Sequence, residues 1–188
     1  MTIPDQATCV FRGRLFDVYQ WPITDYDGRP QIFEGLRRAD AAIVLPLVTR
    51  PDGLHVVILR EEQPGIAPFW TQPGGCLSPG ETPLQAAQRE LLEETGLGSD
   101  DWALLGSHRP AGKIAYAVHV YVARDCRVVG PTALDGGERI DIVELPWEDW
   151  LARLEHAEFR GRDALYAVLG ARIPAAVAEG WRRAWEAS

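Results

Sequence analysis

Residues 75 to 97 read Gly75-Cys-Leu-Ser-Pro-Gly-Glu81-Thr-Pro-Leu-Gln-Ala-Ala-Gln-Arg89-Glu90-Leu91-Leu-Glu93-Glu94-Thr-Gly96-Leu97. A glycine-marked turn leads into a helix that carries three clustered carboxylates. Thr82-Pro83-Leu84-Gln85 has the form of a capping box, with Thr82 at the N-cap, Pro83 at the first helical position and Gln85 reaching back. The helix therefore starts near Pro83. Gly96, free to adopt the left-handed conformation, ends it after roughly three and a half turns at ~3.6 residues each. At ~100° per residue, Leu84, Ala87, Leu91 and Leu92 share an arc that can enter a core. Glu90, Glu93 and Glu94 share a neighbouring arc.

Carboxylates at i, i+3 and i+4 repel, and each like-charge pair costs the helix about 0.2–0.5 kcal/mol. A divalent cation resolves the conflict. Carboxylate oxygens suit a hard ion such as Mg²⁺, which keeps several waters and bridges protein carboxylates to phosphates. Arg89, four residues before Glu93, can pair with it or with Glu81 and so fix which carboxylates remain for the metal. A glutamate-rich helix face is ordinarily a solvated one. The glycine turn, Glu81 and Arg89 at fixed offsets argue against that reading here.

Gly75, Glu81, Arg89, Glu90, Leu91, Glu93, Glu94, Gly96 and Leu97 fall on every fixed position of the Nudix box, G-x5-E-x7-R-E-U-x-E-E-x-G-U. The chain thus resembles a Nudix hydrolase, a family that splits nucleoside diphosphates linked to another moiety with Mg²⁺ or Mn²⁺. The resemblance implies that Glu90 and Glu94 are the principal metal ligands, Glu93 a further one and the Gly75 carbonyl another candidate. Glu81 and Arg89 would support them.

The chain has 188 residues, 46% of them hydrophobic and 24% charged, without repeats or low-complexity segments, which suits one domain with terminal additions. A net charge of −8 argues against binding long nucleic acid, because phosphate neutralisation needs clusters of Lys and Arg. A small anionic nucleotide remains compatible, since a bound cation reverses the local potential. No basic start with an apolar stretch opens the sequence, and no run approaches ~18 apolar residues, so a cytoplasmic protein without membrane attachment is expected. Cys9, Cys76 and Cys126 lack metal-ligand spacing and suit free thiols in a reducing compartment. His55, His108, His119 and His156 are scattered, and none is a strong catalytic candidate.

In chain order, residues 9 to 21 alternate as a strand, and Asp27-Gly28 marks a turn into a second extended run through Ile32 and Phe33, an N-terminal β-ribbon. Residues 41–48 and 54–59 read as central strands, with Pro46 at a bulge or an unpaired position. Residues 60–75 read as a polar, Gly/Pro-marked segment in which Phe69 and Trp70 form a structural anchor. Residues 102–107, 114–123 and 140–145 read as strands. A helix follows from Pro146 with Trp147, Trp150, Leu151 and Leu154 on one side, then helices near 161–170 and 174–187, the last carrying Trp181 and Trp185. The pattern gives an α+β fold with a mixed sheet. The resemblance implies the Nudix α/β/α sandwich over residues 39–188, preceded by the ribbon of residues 1–38 through which a homodimer is expected.

Outside the box the chain is most similar to the ADP-ribose pyrophosphatase branch, which includes other nucleoside-diphosphate-sugar diphosphatases. That similarity lies in Arg38 to Pro46, Pro110-Ala111-Gly112, Glu138-Arg139-Ile140 and Asp163-Ala164-Leu165. Arg60, Trp70, Pro110 and Gly112 are the candidate substrate contacts. Gln63 and Thr71 depart from the branch, which commonly carries Arg and Glu there, and Lys113 and Tyr116 stand where some relatives place an acid. The expected activity is metal-dependent hydrolysis of ADP-ribose or a related nucleoside-diphosphate sugar to a nucleoside monophosphate and a sugar phosphate. Alternatives are a nucleoside triphosphate, a dinucleoside polyphosphate or coenzyme A as substrate, or a sensing domain without catalysis. The cation neutralises phosphate oxygens and activates water, and a carboxylate accepts the water proton. The resemblance points to Glu138 as that base or as a further ligand, with Asp135 and Glu93 as substitutes.

Overall fold

Three antiparallel strands open the chain: β1 (Thr8–Arg12), β2 (Asp17–Thr24) and β3 (Pro30–Arg37). The computed structural model describes residues 1–134, 136–137 and 139–170. Asp135, Glu138 and the helix expected near 174–187 with Trp181 and Trp185 lie outside the described residues. The extended run expected over residues 9–21 is two strands, because Gly13 N–H donates to the Phe16 carbonyl (3.0 Å) and turns the chain. The Asp25 carboxylate accepts from the backbone of Asp27 and Arg29 (3.0 and 2.8 Å), and Gly28 takes a left-handed φ of 79° to close the second hairpin.

The body follows as β4 (Ala41–Arg50), β5 (Gly53–Gln63), β6 (Ile66–Thr71), β7 (Gly74–Cys76), α1 (Pro83–Thr95), β8 (Leu97–Gly98) and β9 (Asp101–His108). Then come β10 (Ile114–Ala115), β11 (Val118–Arg124), β12 (Arg127–Val128), β13 (Arg139–Pro146), α2 (Trp147–Leu154) and α3 (Arg162–Leu169). The central sheet runs β13-β5-β4-β11-β9, with β4 and β11 parallel and the other neighbours antiparallel. Helix α1 covers one face over a core that includes Val44, Val57, Ala87 and Leu91. Helices α2 and α3 cover the other over Val56, Ile58, Val120, Trp150 and Leu165. The result is an α+β fold with a mixed sheet between helices.

Two strands diverge where the site forms. On one edge, β4 pairs with β7 over residues 41–43 and with β5 over residues 47–50, and Pro46, which has no amide proton, falls between these stretches. The buried Gln72 amide fills the fork, its nitrogen facing the Val44 and Val57 carbonyls (3.0 and 3.2 Å) and its oxygen accepting from Trp150 Nε1 (2.6 Å). From the fork β5 continues with β6 as its partner.

The polar, Gly/Pro-marked segment of residues 60–75 thus contains the end of β5, all of β6 and the start of β7. Pro64-Gly65, with Gly65 at φ 78°, is the turn of a β5–β6 hairpin in which Gln63 faces Ile66. The strand expected over 114–123 is likewise divided. Ile114–Ala115 pairs in parallel with β3 and fastens the N-terminal sheet to the body, whereas Val118–Arg124 enters the central sheet.

Candidate active site

The site starts from two glycines on β7. A Cβ on Gly74 would meet the Ala42 carbonyl oxygen at 2.2 Å, and one on Gly75 would meet Glu90 Oε1 at 2.2 Å. The strand therefore lies close against β4 and leaves a hollow that the Glu90 carboxylate occupies. The chain then turns through Ser78-Pro79-Gly80 into the Thr82 cap. Gln85 N–H donates to Thr82 Oγ1 (3.3 Å), and the Gln85 side chain accepts from Thr82 N–H (2.9 Å). Gly96 closes α1 with φ 70°, as the sequence implies.

Helix α1 is rotated relative to the arc read from its apolar residues. Ala86, Ala87, Leu91, Glu94 and Thr95 are buried, whereas Leu92 is 40% exposed. Ala87, Leu91, Glu94 and Thr95 lie within ~100° of one another at ~100° per residue, so Glu94 is inside the buried arc rather than beside it. Glu94 is 9% exposed, and Gly74 N–H donates to its Oε2 at 2.8 Å. The glycine turn and the helix are thereby joined through a carboxylate.

Arg89 organises the rest. Its five N–H groups all find acceptors. Nε and Nη2 grip the two oxygens of Glu81 (2.9 and 3.0 Å), Nη1 reaches Glu90 (2.8 Å) and Glu93 (3.0 Å), and Nη2 also reaches the Cys76 carbonyl (3.2 Å). Glu81 further accepts from Ser78 N–H (2.8 Å). The Arg89 guanidinium, followed by the Ser78 amide, holds the Glu81 carboxyl below its ordinary range, and the Arg89 pKa is raised chiefly by its bond to Glu81.

Glu90, Glu93, Glu94, Gly75 and Arg89 line one cavity of about 420 Å³. Its remaining wall is where sequence reasoning fell short. Glu61 and Gln63 line it from β5, and Ala133 and Leu134 from the segment that Ala133 N–H fastens to the Glu93 carbonyl (2.7 Å). Strand alternation through Val57, Leu59, Glu61 and Gln63 was the available signal, obscured by ending the strand at Leu59.

The structure does not bring Arg60, Trp70, Pro110 or Gly112 to this cavity. Arg60 lies on the opposite face of β5, bonded to Glu158 (2.9 Å) and 5.0 Å above the Trp70 ring, which Arg153 also covers at 4.5 Å. Trp70 is also tied through its backbone to Glu158 and Arg160, so it is the anchor that its surroundings suggested. Pro110 and Gly112 belong to the β9–β10 connection, where the Lys113 carbonyl accepts from Leu36 N–H (2.7 Å) and the Lys113 ammonium lies 4.7 Å from the Phe33 ring. None of the four histidines lines the cavity.

The NUDIX domain model matches residues 37–166. The chain is a Nudix hydrolase. Over 168 residues it is 28% identical to the ADP compounds hydrolase NudE of Escherichia coli (strain K12), covering 85% of this chain and 87% of that protein. It is 26% identical over 161 residues to the ADP-ribose pyrophosphatase of Bacillus subtilis (strain 168), covering 85% and 86%. An RNA pyrophosphohydrolase of Brucella anthropi is 47% identical, but over only 47 residues, 25% of this chain and 27% of that protein. A crystal structure of an ADP compounds hydrolase superposes with a TM-score of 0.70 at 25% identity, covering 89% of this chain and 90% of that one.

The acidic side chains that line this cavity, Glu61, Glu90, Glu93 and Glu94, would offer oxygen donors beside the glycine turn. That chemistry fits a hard divalent ion, and the hollow at Gly75 keeps room for the Glu90 carboxylate. Among the described residues, no three His, Cys, Asp or Glu side chains are already gathered as a metal-binding group. Arg89 holds Glu90 and Glu93 in this state. Among the described residues no helix is long and apolar enough to cross a membrane.

Proposed function

We propose that this Nudix hydrolase cleaves the diphosphate of ADP-ribose or a related nucleoside-diphosphate sugar, using Mg²⁺ or Mn²⁺ held by Glu90, Glu93, Glu94 and the Gly75 carbonyl. The observation that carries the reading is the carboxylate set of α1 around one cavity, Glu90 and Glu93 held by the Arg89 guanidinium and Glu94 by the Gly74 amide. A sensing domain has no need of so full a set. The two relatives matched over 85% of this chain support the substrate class, because both names specify ADP compounds.

When bound, the cation supplies charge neutralisation for the diphosphate and lowers the pKa of the attacking water. Water adds its oxygen to one phosphorus, the bridging P–O bond breaks, and the bridging oxygen departs on the other phosphate. The products are a nucleoside monophosphate and a sugar phosphate. Glu138 is proposed to accept the water proton or to serve as a further ligand, with Asp135 or Glu93 in its place if it does neither. Arg89 and Glu81 keep the α1 carboxylates together and the glycine turn closed.

A homodimer in the cytoplasm is also proposed, formed through residues 1–38. Support comes from Phe11 (61% exposed) and Ile32 (65% exposed) on β1 and β3, large apolar side chains that stay mostly open among the described residues. Sedimentation at micromolar concentration should give twice the chain mass, and a fully active monomer contradicts this. For substrate, nucleoside-diphosphate sugars, nucleoside triphosphates and coenzyme A should be compared with Mg²⁺ or Mn²⁺ present, resolving products by chromatography. ADP-sugars are expected to be cleaved fastest, and preferential cleavage of triphosphates or coenzyme A rejects the assignment.

A further inference from the structure

The distal end of β5 sends two neighbouring acids in opposite directions. Glu62 follows Arg60 away from α1, whereas Glu61 follows Val57 and Leu59 toward it and enters the cavity with Glu90, Glu93 and Glu94. Glu61 is 7% exposed. Among the described residues no Lys, Arg or His forms an ion pair with it. Its side-chain partner there is the neutral amide of Gln63, whose Nε2 donates to Oε1 at 2.5 Å. Arg89 has no N–H left to offer, because Glu81, Glu90, Glu93 and the Cys76 carbonyl use all five. A carboxylate this deep, beside others of the same sign and oriented by a neutral group, carries a large desolvation cost unless a cation joins it.

We infer that Glu61, positioned by Gln63, is a further cation-side carboxylate of this active site. The inference rests on the proposed role of the α1 carboxylates in holding Mg²⁺ or Mn²⁺, and adds to them a donor from the sheet. A cation in the cavity would then be held between two elements, α1 on one side and β5 on the other. Gln63 orients the carboxylate without cancelling its charge, and is a positioning residue rather than a ligand.

The test is Mn²⁺ binding by the full chain without nucleotide, read as the electron paramagnetic resonance signal of free Mn²⁺, for wild type, Glu61→Gln, Gln63→Ala and Glu94→Gln. Glu61→Gln keeps size and hydrogen-bonding capacity. It is expected to weaken Mn²⁺ binding by at least about tenfold, and Gln63→Ala by about tenfold, the lower end of the range of ligand-orienting residues. Thermal unfolding supplies the second readout. Without metal, Glu61→Gln should match or exceed the wild-type midpoint, because a buried charge is removed. On adding Mn²⁺ it should gain less than wild type, because stabilisation by a ligand follows its affinity. If Glu94→Gln loses binding while Glu61→Gln gives the wild-type isotherm, the inference about Glu61 is overturned and the role of α1 stands. If Glu61→Gln unfolds earlier without metal yet binds Mn²⁺ normally, Glu61 is structural and the inference again fails. If wild type itself binds no Mn²⁺, the proposed metal dependence falls and Glu61 with it.

Discussion

Two arginine–carboxylate knots stand at different places in this molecule. At the β4–β5 turn, Arg50 grips both oxygens of Glu144 (2.7 and 2.7 Å). His55 there lies 3.1 Å from Glu144 and 3.2 Å from Asp52. The guanidinium there offsets Glu144 one to one, and the Asp52 carboxylate is exposed to water. At α1, three carboxylates meet one guanidinium, and Glu94 and Glu61 line the same cavity. Among the described residues that cavity is lined by four carboxylates and one guanidinium. A balanced knot fastens strands. A knot in which several carboxylates share one guanidinium around a cavity has the electrostatics of a cation site.

The largest contrast should come from removing one α1 charge. Glu94→Gln is expected to lower kcat by about 10²–10³-fold, the scale of losing one well-placed electrostatic group, while circular dichroism stays that of wild type. Unchanged turnover at limiting Mg²⁺ would reject the role of the helix.

Next comes the exchange of guanidinium for ammonium in each knot. Arg89→Lys keeps the charge but offers three donors where five are used, so the carboxylates separate and activity should fall about 10–100-fold. Arg50→Lys should leave activity unchanged and alter only the thermal midpoint. Equal effects on turnover would erase the distinction between the knots.

The smallest difference is in pH dependence. Glu81 and Glu144 are both held below the ordinary carboxyl range, each mainly by hydrogen bonding to its arginine. Their folded-state values lie under the unfolded value of about 4.3, so each contributes stability above that pH and loses it as pH falls toward the folded value. Urea unfolding of metal-free protein between neutral pH and about pH 3 should show this acid-side loss. In Arg50→Met the loss should be shallower, because Glu144 then titrates nearer its unfolded value. A profile that steepens would contradict the assignment of sign.

Sequence was informative where the chemistry is local. Thr82, Pro83, Gln85 and Gly96 specify both ends of α1 without help from the rest of the chain, and the structure places both ends there. It was less informative where a partner decides. Leu92 and Glu94 exchange their expected surroundings because the sheet, not the count of apolar residues, chooses which arc of α1 is covered. Ile114 to Ala123 alternates as one strand, yet its first two residues pair with β3 and those from Val118 onward with β4 and β9, a division that alternation cannot reveal. Glu61 was hidden by the same kind of gap, since its side is set by extending β5 past the fork at Gln72.

The central claim is that the carboxylates of α1 work through a divalent cation on a diphosphate. Chelator-treated wild-type protein should be mixed with ADP-ribose, Mg²⁺ added back in steps, and AMP and ribose 5-phosphate quantified at each step. The account predicts no hydrolysis before addition and equal amounts of the two products appearing with Mg²⁺. Turnover that persists in chelator, or Mg²⁺-saturated protein that leaves ADP-ribose intact, would contradict it.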